Sequence, residues 1–384
     1  MSATGYLLRG RLLTPERSVG SGSVLIRDGV IVALDPDAGE ARGAADLSAP
    51  GDTIVPGFID LQVNGFRGWH AAHGRHAIAA MAAALPATGV TGFLPTLISR
   101  PMDEAAAFVR EVGAVSGGGA RVLGAHLEGP FLNPAYRGAH DANYLVTPTR
   151  RRIERLLRTP PRMVTLAPEL AGADGAIRAL VEAGVLVALG HSGASYEVSI
   201  GAIDAGARFG THLFNGMAAF HHRAPGVVGA LLVDSRVAVG LIADDVHLHA
   251  AALDLAIRAL GRRRAVLTTD QTADAGQPHG AQRPSRQAGA SATRVVRSNG
   301  VLAGSAATMD ELVRRVAALP GSSLLAAVEM ATLTPARVLA LSGRVGRLRR
   351  GYVADVTVLD TELRIRLTMV SGEVAYDSTG KAPG

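Results

Sequence analysis

Between residues 54 and 268 the chain alternates two kinds of segment. One is a short, nearly continuous apolar run. The other is an Ala/Leu/Arg-rich stretch with apolar residues at helical spacing. The runs are Ile54–Val63, Gly89–Leu97, Arg121–Leu127, Met163–Ala167, Leu186–Leu189, Ala207–Leu213, Val237–Ile242 and Ala265–Thr268. The helical stretches are His76–Leu85, Met102–Val115, Thr149–Leu157, Ala173–Ala183, Tyr196–Ala205 and Leu248–Leu260. Strands that are apolar throughout and alternate with helices form a parallel sheet covered by those helices. Eight such strands predict a closed (β/α)8 TIM barrel of the α/β class. Two further helices, Met309–Leu319 and Leu324–Leu341, are predicted after the eighth run.

The two ends read differently. Tyr6–Leu13, Ser23–Arg27, Val30–Ala33, Asp355–Leu359 and Leu363–Val370 are β-like, with turns such as Asp28-Gly29 and Ser371-Gly372 between them. They predict one small β-sandwich domain built from both termini, residues 1–53 and 346–384, around a barrel at 54–345. Residues 277–292, rich in Gly, Gln, Arg, Ser and Ala, predict a loop.

Composition narrows the chemistry. The chain of 384 residues is 48% hydrophobic but only 4% aromatic, so its core rests on small and branched aliphatic side chains. With no Cys, disulfides, thiolate metal sites and a Cys nucleophile are excluded. The formal charge of +6 comes almost wholly from Arg; the one Lys is Lys381. These Arg residues are scattered, with modest clusters at 150–152, 262–264 and 349–350, and no basic stripe carries interleaved aromatics. A nucleic-acid partner is not expected. Met1–Leu13 is too weakly apolar for a secretory signal, and no run approaches the roughly 20 apolar residues of a membrane span. A cytoplasmic protein without a membrane partner is expected.

Polar residues stand directly after several of the predicted strands. The third runs into His126-Leu127-Glu128-Gly129-Pro130, the fifth into Gly190-His191-Ser192, and the eighth into Thr268-Thr269-Asp270; the sixth carries Thr211-His212-Leu213. The C-terminal ends of barrel strands converge on one face, so these groups are expected to meet there. Glu128, His191 and His212 would supply three ligands to a divalent ion and leave a position for water. Asp270 would then act as general base and acid. Gln62 and Asn64, at the end of the first strand, are neutral amides and poor ligands for zinc-like ions. One metal ion per subunit is therefore expected, with Zn2+ in first place and Fe2+, Co2+ or Mn2+ as alternatives.

Several phrases now stand in order: Pro56-Gly57-Phe58-Ile59-Asp60, His126-Leu127-Glu128-Gly129-Pro130-Phe131, Gly190-His191-Ser192, Thr211-His212-Leu213-Phe214-Asn215-Gly216-Met217, Arg223-Ala224-Pro225-Gly226, Ile242-Ala243-Asp244, Thr269-Asp270 and Leu302-Ala303-Gly304-Ser305. The series resembles the N-acetylglucosamine-6-phosphate deacetylases of the amidohydrolase superfamily. That resemblance implies a metal-dependent carbon–nitrogen hydrolase acting on an N-acetylated amino sugar phosphate, with a homodimer as the usual assembly. It matches Glu128, His191 and His212 to metal ligands, Asp270 to the catalytic acid/base, and His140 to the residue that steadies the acetyl oxygen. It matches Ala139, His140, Asn215, Gly216, Arg223, His247, Leu302, Ala303 and Gly304 to substrate contacts, with Arg223 and His247 on the phosphate.

The chain departs from this family at several points. Ala224 stands for the usual Glu. Asp245 replaces the usual Gly and is expected to repel a phosphate at His247. Many amidohydrolases carry His-x-His where this chain has Gln62 and Asn64, or a carboxylated barrel Lys, which this chain lacks. His70, His73 and His76 are expected to face solvent. Two other activities stay open: deacetylation of another N-acetylated amino sugar, and non-catalytic binding of a sugar phosphate.

Overall fold

The first apolar run divides at Gly57 between two sheets. Thr53–Pro56 joins the sheet made by the chain ends, and Phe58–Val63 begins the barrel. The computed structural model describes residues 5–15, 17–277, 294–296 and 302–380. Of the expected loop at 277–292, only Gln277 lies within the described residues.

The barrel strands are β1 (Phe58–Val63), β2 (Val90–Ile98), β3 (His126–Glu128), β4 (Met163–Leu166), β5 (Leu186–Leu189), β6 (Phe209–Gly210), β7 (Ala238–Leu241) and β8 (Ala265–Leu267). Each pairs in parallel with the next, from β1 to β8. The ring nearly closes. At the seam a parallel bridge joins Val63 to Gln271, and Asp60 on β1 accepts hydrogen bonds from Thr269, just past β8. The third predicted run is interrupted at Gly124 (φ 123°), so Arg121–Val122 forms a separate short strand beside β2.

The helices are α1 (Arg75–Ala84), α2 (Met102–Gly113), α3 (Arg150–Leu156), α4 (Ala173–Glu182), α5 (Tyr196–Asp204), α6 (Gly226–Val233), α7 (Ala250–Leu260), α8 (Met309–Ala318), α9 (Leu324–Ala331) and α10 (Leu333–Val338). In α2, Ala105, Phe108, Val109 and Val112 recur at helical spacing and are buried against the barrel. Burying each of the three larger ones contributes about 1.5–3 kcal/mol. Asp103 and Glu104 in the first turn and Arg110 in the last complement the helix dipole.

Two outcomes differ from the expectation. Helix α6, with sequence GVVGALLV, carries no polar stripe, so its apolar residues show no helical period. The single helix expected over Leu324–Leu341 breaks at Thr332 (φ −129°, ψ −79°) into α9 and α10.

The terminal sheet has eight strands. Their order is 373–377, 365–370, 356–359, 53–56, 5–14, 17–27 and 30–34, with 44–46 also paired to 5–14. Leu8, Leu12, Ile26, Ile31, Ile54, Val356, Val358, Leu367 and Met369 gather into a core separate from the main barrel cluster. Strand 356–359, near the C-terminal end, lies directly against 53–56, which ties the two ends of the chain into one sheet.

Candidate active site and metal centre

The C-terminal mouth of the barrel opens into a cavity of about 380 Å³. Glu128, His140, His191, His212 and Asp270 line it, as do Ala139, Asn215, Gly216, His247, Leu302, Ala303 and Gly304. Of the residues matched in the sequence to metal ligands, the acid/base or substrate contacts, only Arg223 is absent from its walls. Arg223 is exposed and donates to His222 Nε2 at 2.8 Å.

Three of these side chains leave the strand ends with the backbone in the left-handed region: His191 (φ 51°), His212 (φ 33°) and Asp270 (φ 47°). Such angles are unfavourable for residues with a Cβ and persist only where surrounding contacts hold them. Gly216 (φ 59°) allows the chain to pass over His191, since a Cβ there would lie 2.7 Å from His191 Nδ1.

The centre is the Glu128 carboxylate. Its Oε1 lies 2.8 Å from His212 Nε2, 3.1 Å from His191 Nε2 and 3.0 Å from Gln62 Nε2. Its Oε2 lies 3.7 Å from His140 Nε2. Burial disfavours the charge on Glu128, but the surrounding imidazoles of His140, His191 and His212 outweigh that penalty and hold the carboxyl well below its usual range. Donor atoms of Glu128, His140 and His191 lie within 4.8 Å of one another, a separation that suits a shared cation.

Hydrogen-bond partners separate the three imidazoles. His191 Nδ1 faces the Tyr136 carbonyl at 2.9 Å, which can only accept. The Nδ1 proton is therefore fixed there, and the Nε2 lone pair of the neutral ring points at a carboxylate. A proton or a metal cation must stand between two such acceptors. His140 is the reverse case. The backbone N–H of Ser99 donates to its Nδ1 at 3.1 Å, so in the neutral ring Nε2 carries the proton. Burial pushes the His140 pKa down to about 4, keeping the ring neutral. His140 thus presents an N–H to the cavity, not a ligand lone pair. His212 Nδ1 is buried without a partner. Burial lowers the His212 pKa, but the hydrogen bond to Glu128 reverses this and leaves it raised.

Asp270 is held by Asn64, whose Nδ2 donates to Oδ1 at 2.7 Å. Burial, reinforced by the charge of Glu128, pushes the Asp270 carboxyl up to about 6. That places it where a general base can exchange a proton near neutral pH. Gln62 and Asn64 each donate to one of the two functional carboxylates, and their carbonyl oxygens are buried without partners. Unpaired polar atoms of this kind mark a space made for a ligand or water.

Two expectations about the rim change. Asp245 does not face the cavity. It occupies a left-handed position (φ 62°), the conformation that Gly tolerates best, and pairs with Arg315 Nε at 3.0 Å on α8. Its side chain is half exposed, so the anticipated repulsion of a phosphate at His247 is offset by Arg315. His247 itself is oriented by Asp244, with Nδ1 at 2.7 Å from Oδ2. His70, expected in solvent, lines the cavity instead. It sits on a hairpin that pairs Gly65–Phe66 with Trp69–His70 and turns through Arg67 (φ 48°) and Gly68 (φ 87°). The two-residue Arg67-Gly68 turn was the available sequence signal.

Comparison with known proteins agrees with this geometry. Residues 53–375 match the amidohydrolase family. The chain is 38% identical to bovine N-acetylglucosamine-6-phosphate deacetylase, over 96% of this chain and 94% of that one. It is 35% identical to N-acetylgalactosamine-6-phosphate deacetylase of Escherichia coli O157:H7, over 97% and 99%. Among solved structures, it superposes with a TM-score of 0.85 on an aspartate-to-alanine variant of N-acetyl-D-glucosamine-6-phosphate deacetylase from Mycobacterium smegmatis, in complex with N-acetyl-D-glucosamine-6-phosphate. That pair shares 34% identity over 97% and 99% of the chains.

Proposed function

The chain belongs to the amidohydrolase family, and from that premise we propose that it hydrolyses the acetamide of N-acetylglucosamine 6-phosphate to glucosamine 6-phosphate and acetate. It is a deacetylase acting on a carbon–nitrogen bond. The observation that carries the substrate reading is the buried Glu128 carboxylate ringed by three imidazoles, with Asp270 in the same cavity, in a chain so similar to deacetylases of this sugar phosphate.

Glu128, His191 and His212 would hold one divalent ion, zinc in first place. The lone pair that His191 aims at Glu128, and the His212 Nε2 that faces the same carboxylate oxygen at 2.8 Å, fit a cation-binding set. Such an ion acidifies water and polarises a carbonyl oxygen. Asp270 takes the proton of the attacking water and returns it to the departing amine. Asn64 keeps the Asp270 carboxylate turned into the cavity during both transfers. The His140 N–H donates to the acetyl oxygen as negative charge develops on it. Asn215, Gly216, Ala139 and the Leu302-Ala303-Gly304 strand enclose the sugar, and His247 meets the phosphate. The exposed Phe220–Arg223 segment suits a homodimer in which Arg223 reaches a phosphate across the subunit boundary. The small β domain would comprise residues 1–56 and 346–384, with the barrel starting after Gly57 rather than at residue 54, and the protein would work in the cytoplasm.

A second reading has a specific basis, since one relative at 35% identity acts on the C4 epimer, N-acetylgalactosamine 6-phosphate. Amine release from the two sugar phosphates and from unphosphorylated N-acetylglucosamine, with zinc-loaded protein, decides between them. Preference for the glucosamine substrate supports the proposal. Preference for the epimer replaces it, and equal turnover of the unphosphorylated sugar removes the phosphate assignment.

A further inference from the structure

Asp60 is fully buried beneath the cavity and takes no direct part in the proposed chemistry. It lies on β1 at the seam where the barrel closes. Its Oδ1 accepts from the backbone N–H of Gln62 and of Thr269, both at 3.2 Å, and its Oδ2 accepts from the Thr269 hydroxyl at 2.6 Å. The same hydroxyl accepts from the Gln271 N–H at 3.2 Å. Residues 269 and 271 are thus both tied to one carboxylate through one hydroxyl, and between them stands Asp270 with its left-handed backbone (φ 47°). From the other side, Ser305 N–H donates to the Asp270 carbonyl at 2.9 Å. A strained conformation persists only when its neighbours over-determine it, and these bonds do so.

We propose that Asp60 is a positioning residue for the base Asp270 and acts through the Thr269 hydroxyl. This rests on the reading of Asp270 as general base. Without the clamp the φ 47° conformation relaxes, and the carboxylate moves away from the line between water and acetyl carbon. Binding of the sugar phosphate, made by other walls, stays. The deficit therefore falls on kcat and not on KM.

The test uses metal-loaded full-length Thr269→Val, Thr269→Ser, Asp60→Asn, the Asp60→Asn/Thr269→Val double variant and Asp270→Asn. Val matches Thr in shape but lacks the hydroxyl. Thr269→Val orphans the Gln271 N–H and one Asp60 oxygen, so its Tm should fall; assayed well below that Tm, its kcat should be about tenfold lower or more, with KM held within about twofold and metal content unchanged. Thr269→Ser should restore kcat. The double variant should be no slower than the slower single one, because both break one linkage. Parental kcat in Thr269→Val beside an inactive Asp270→Asn overturns this proposal alone. So does a loss that disappears when the assay is run well below the variant's Tm, or one that follows metal content, which would make the seam merely structural. Turnover retained in Asp270→Asn overturns the base assignment and this proposal with it.

Discussion

His140 offers the sharpest discrimination within the site, because its distances alone would allow two roles. Its Nε2 is near enough to Glu128 and His191 to share a cation, yet its hydrogen bonds make that nitrogen a donor. His140→Asn separates the two. The Asn amide oxygen can stand where Nδ1 stood and accept from Ser99 N–H, while nothing replaces Nε2. The buried Ser99 amide stays paired, so the penalty of about 1–3 kcal/mol for an orphaned donor is avoided. His140→Ala would incur that penalty and serves as a comparison. Loss of one oxyanion donor costs about 2.7–4 kcal/mol of transition-state stabilisation, or about 10²–10³ in kcat. The assay is steady-state amine release together with metal content by elemental analysis, at matched protein concentration. We expect kcat to fall by that range with one metal ion retained per subunit. Loss of the ion in step with activity would refute the donor role and make His140 a ligand. A kcat within about threefold of the parent would refute both roles.

Three further outcomes follow from the same geometry. Burial pushes the Asp60 carboxyl up from 3.8 to about 7 despite its three hydrogen bonds, so the folded protein binds an extra proton between those values and loses stability as pH rises through that window. Asp60→Asn lacks this penalty; its unfolding free energy relative to the parent should rise between pH 4 and 7 by at most about 4 kcal/mol, and a pH-independent difference would contradict the argument. Asp245→Gly removes a half-exposed partner of Arg315 at a backbone position that favours Gly, so stability should change by no more than about 1 kcal/mol and KM for the sugar phosphate by no more than about twofold; a marked drop in KM would restore the repulsion reading. Phe209→Ala on β6 deletes one of the largest fully buried side chains and should cost about 3–5 kcal/mol in denaturant unfolding, which a loss below about 1 kcal/mol would contradict.

The parts legible in the sequence share one physical property: a burial pattern that the local residues alone create. Barrel strands are covered on both faces, so β2, β4, β5 and β7 appear as nearly continuous apolar runs, and the polar residues after a run mark the open end. Glu128, His191, His212 and Asp270 were visible for that reason. Continuity fails where two buried environments meet. Thr53–Pro56 and Phe58–Val63 are apolar alike, and only Gly57 separates the sheets they enter. It also fails where burial surrounds a helix, as in α6. The pairing of Asp245 with Arg315 depends on a contact between segments far apart in sequence, which no local pattern encodes.

The first strand shows how a departure from a family pattern can be read physically. Gln62 and Asn64 replace two imidazoles by two amides, and an amide N–H has no lone pair to give to a cation. In this barrel each amide instead donates to a carboxylate: Gln62 to Glu128 at 3.0 Å and Asn64 to Asp270 at 2.7 Å. Positions that would recruit a second cation therefore supply hydrogen bonds that stabilise anions. The two carboxylates repel one another, and that repulsion helps to raise the Asp270 pKa. A second ion between them would cancel it and hold Asp270 ionised and weakly basic. With amides there, one N–H from Asn64 steadies Asp270 without a second positive charge, so the carboxylate keeps more of the basicity that burial gives it.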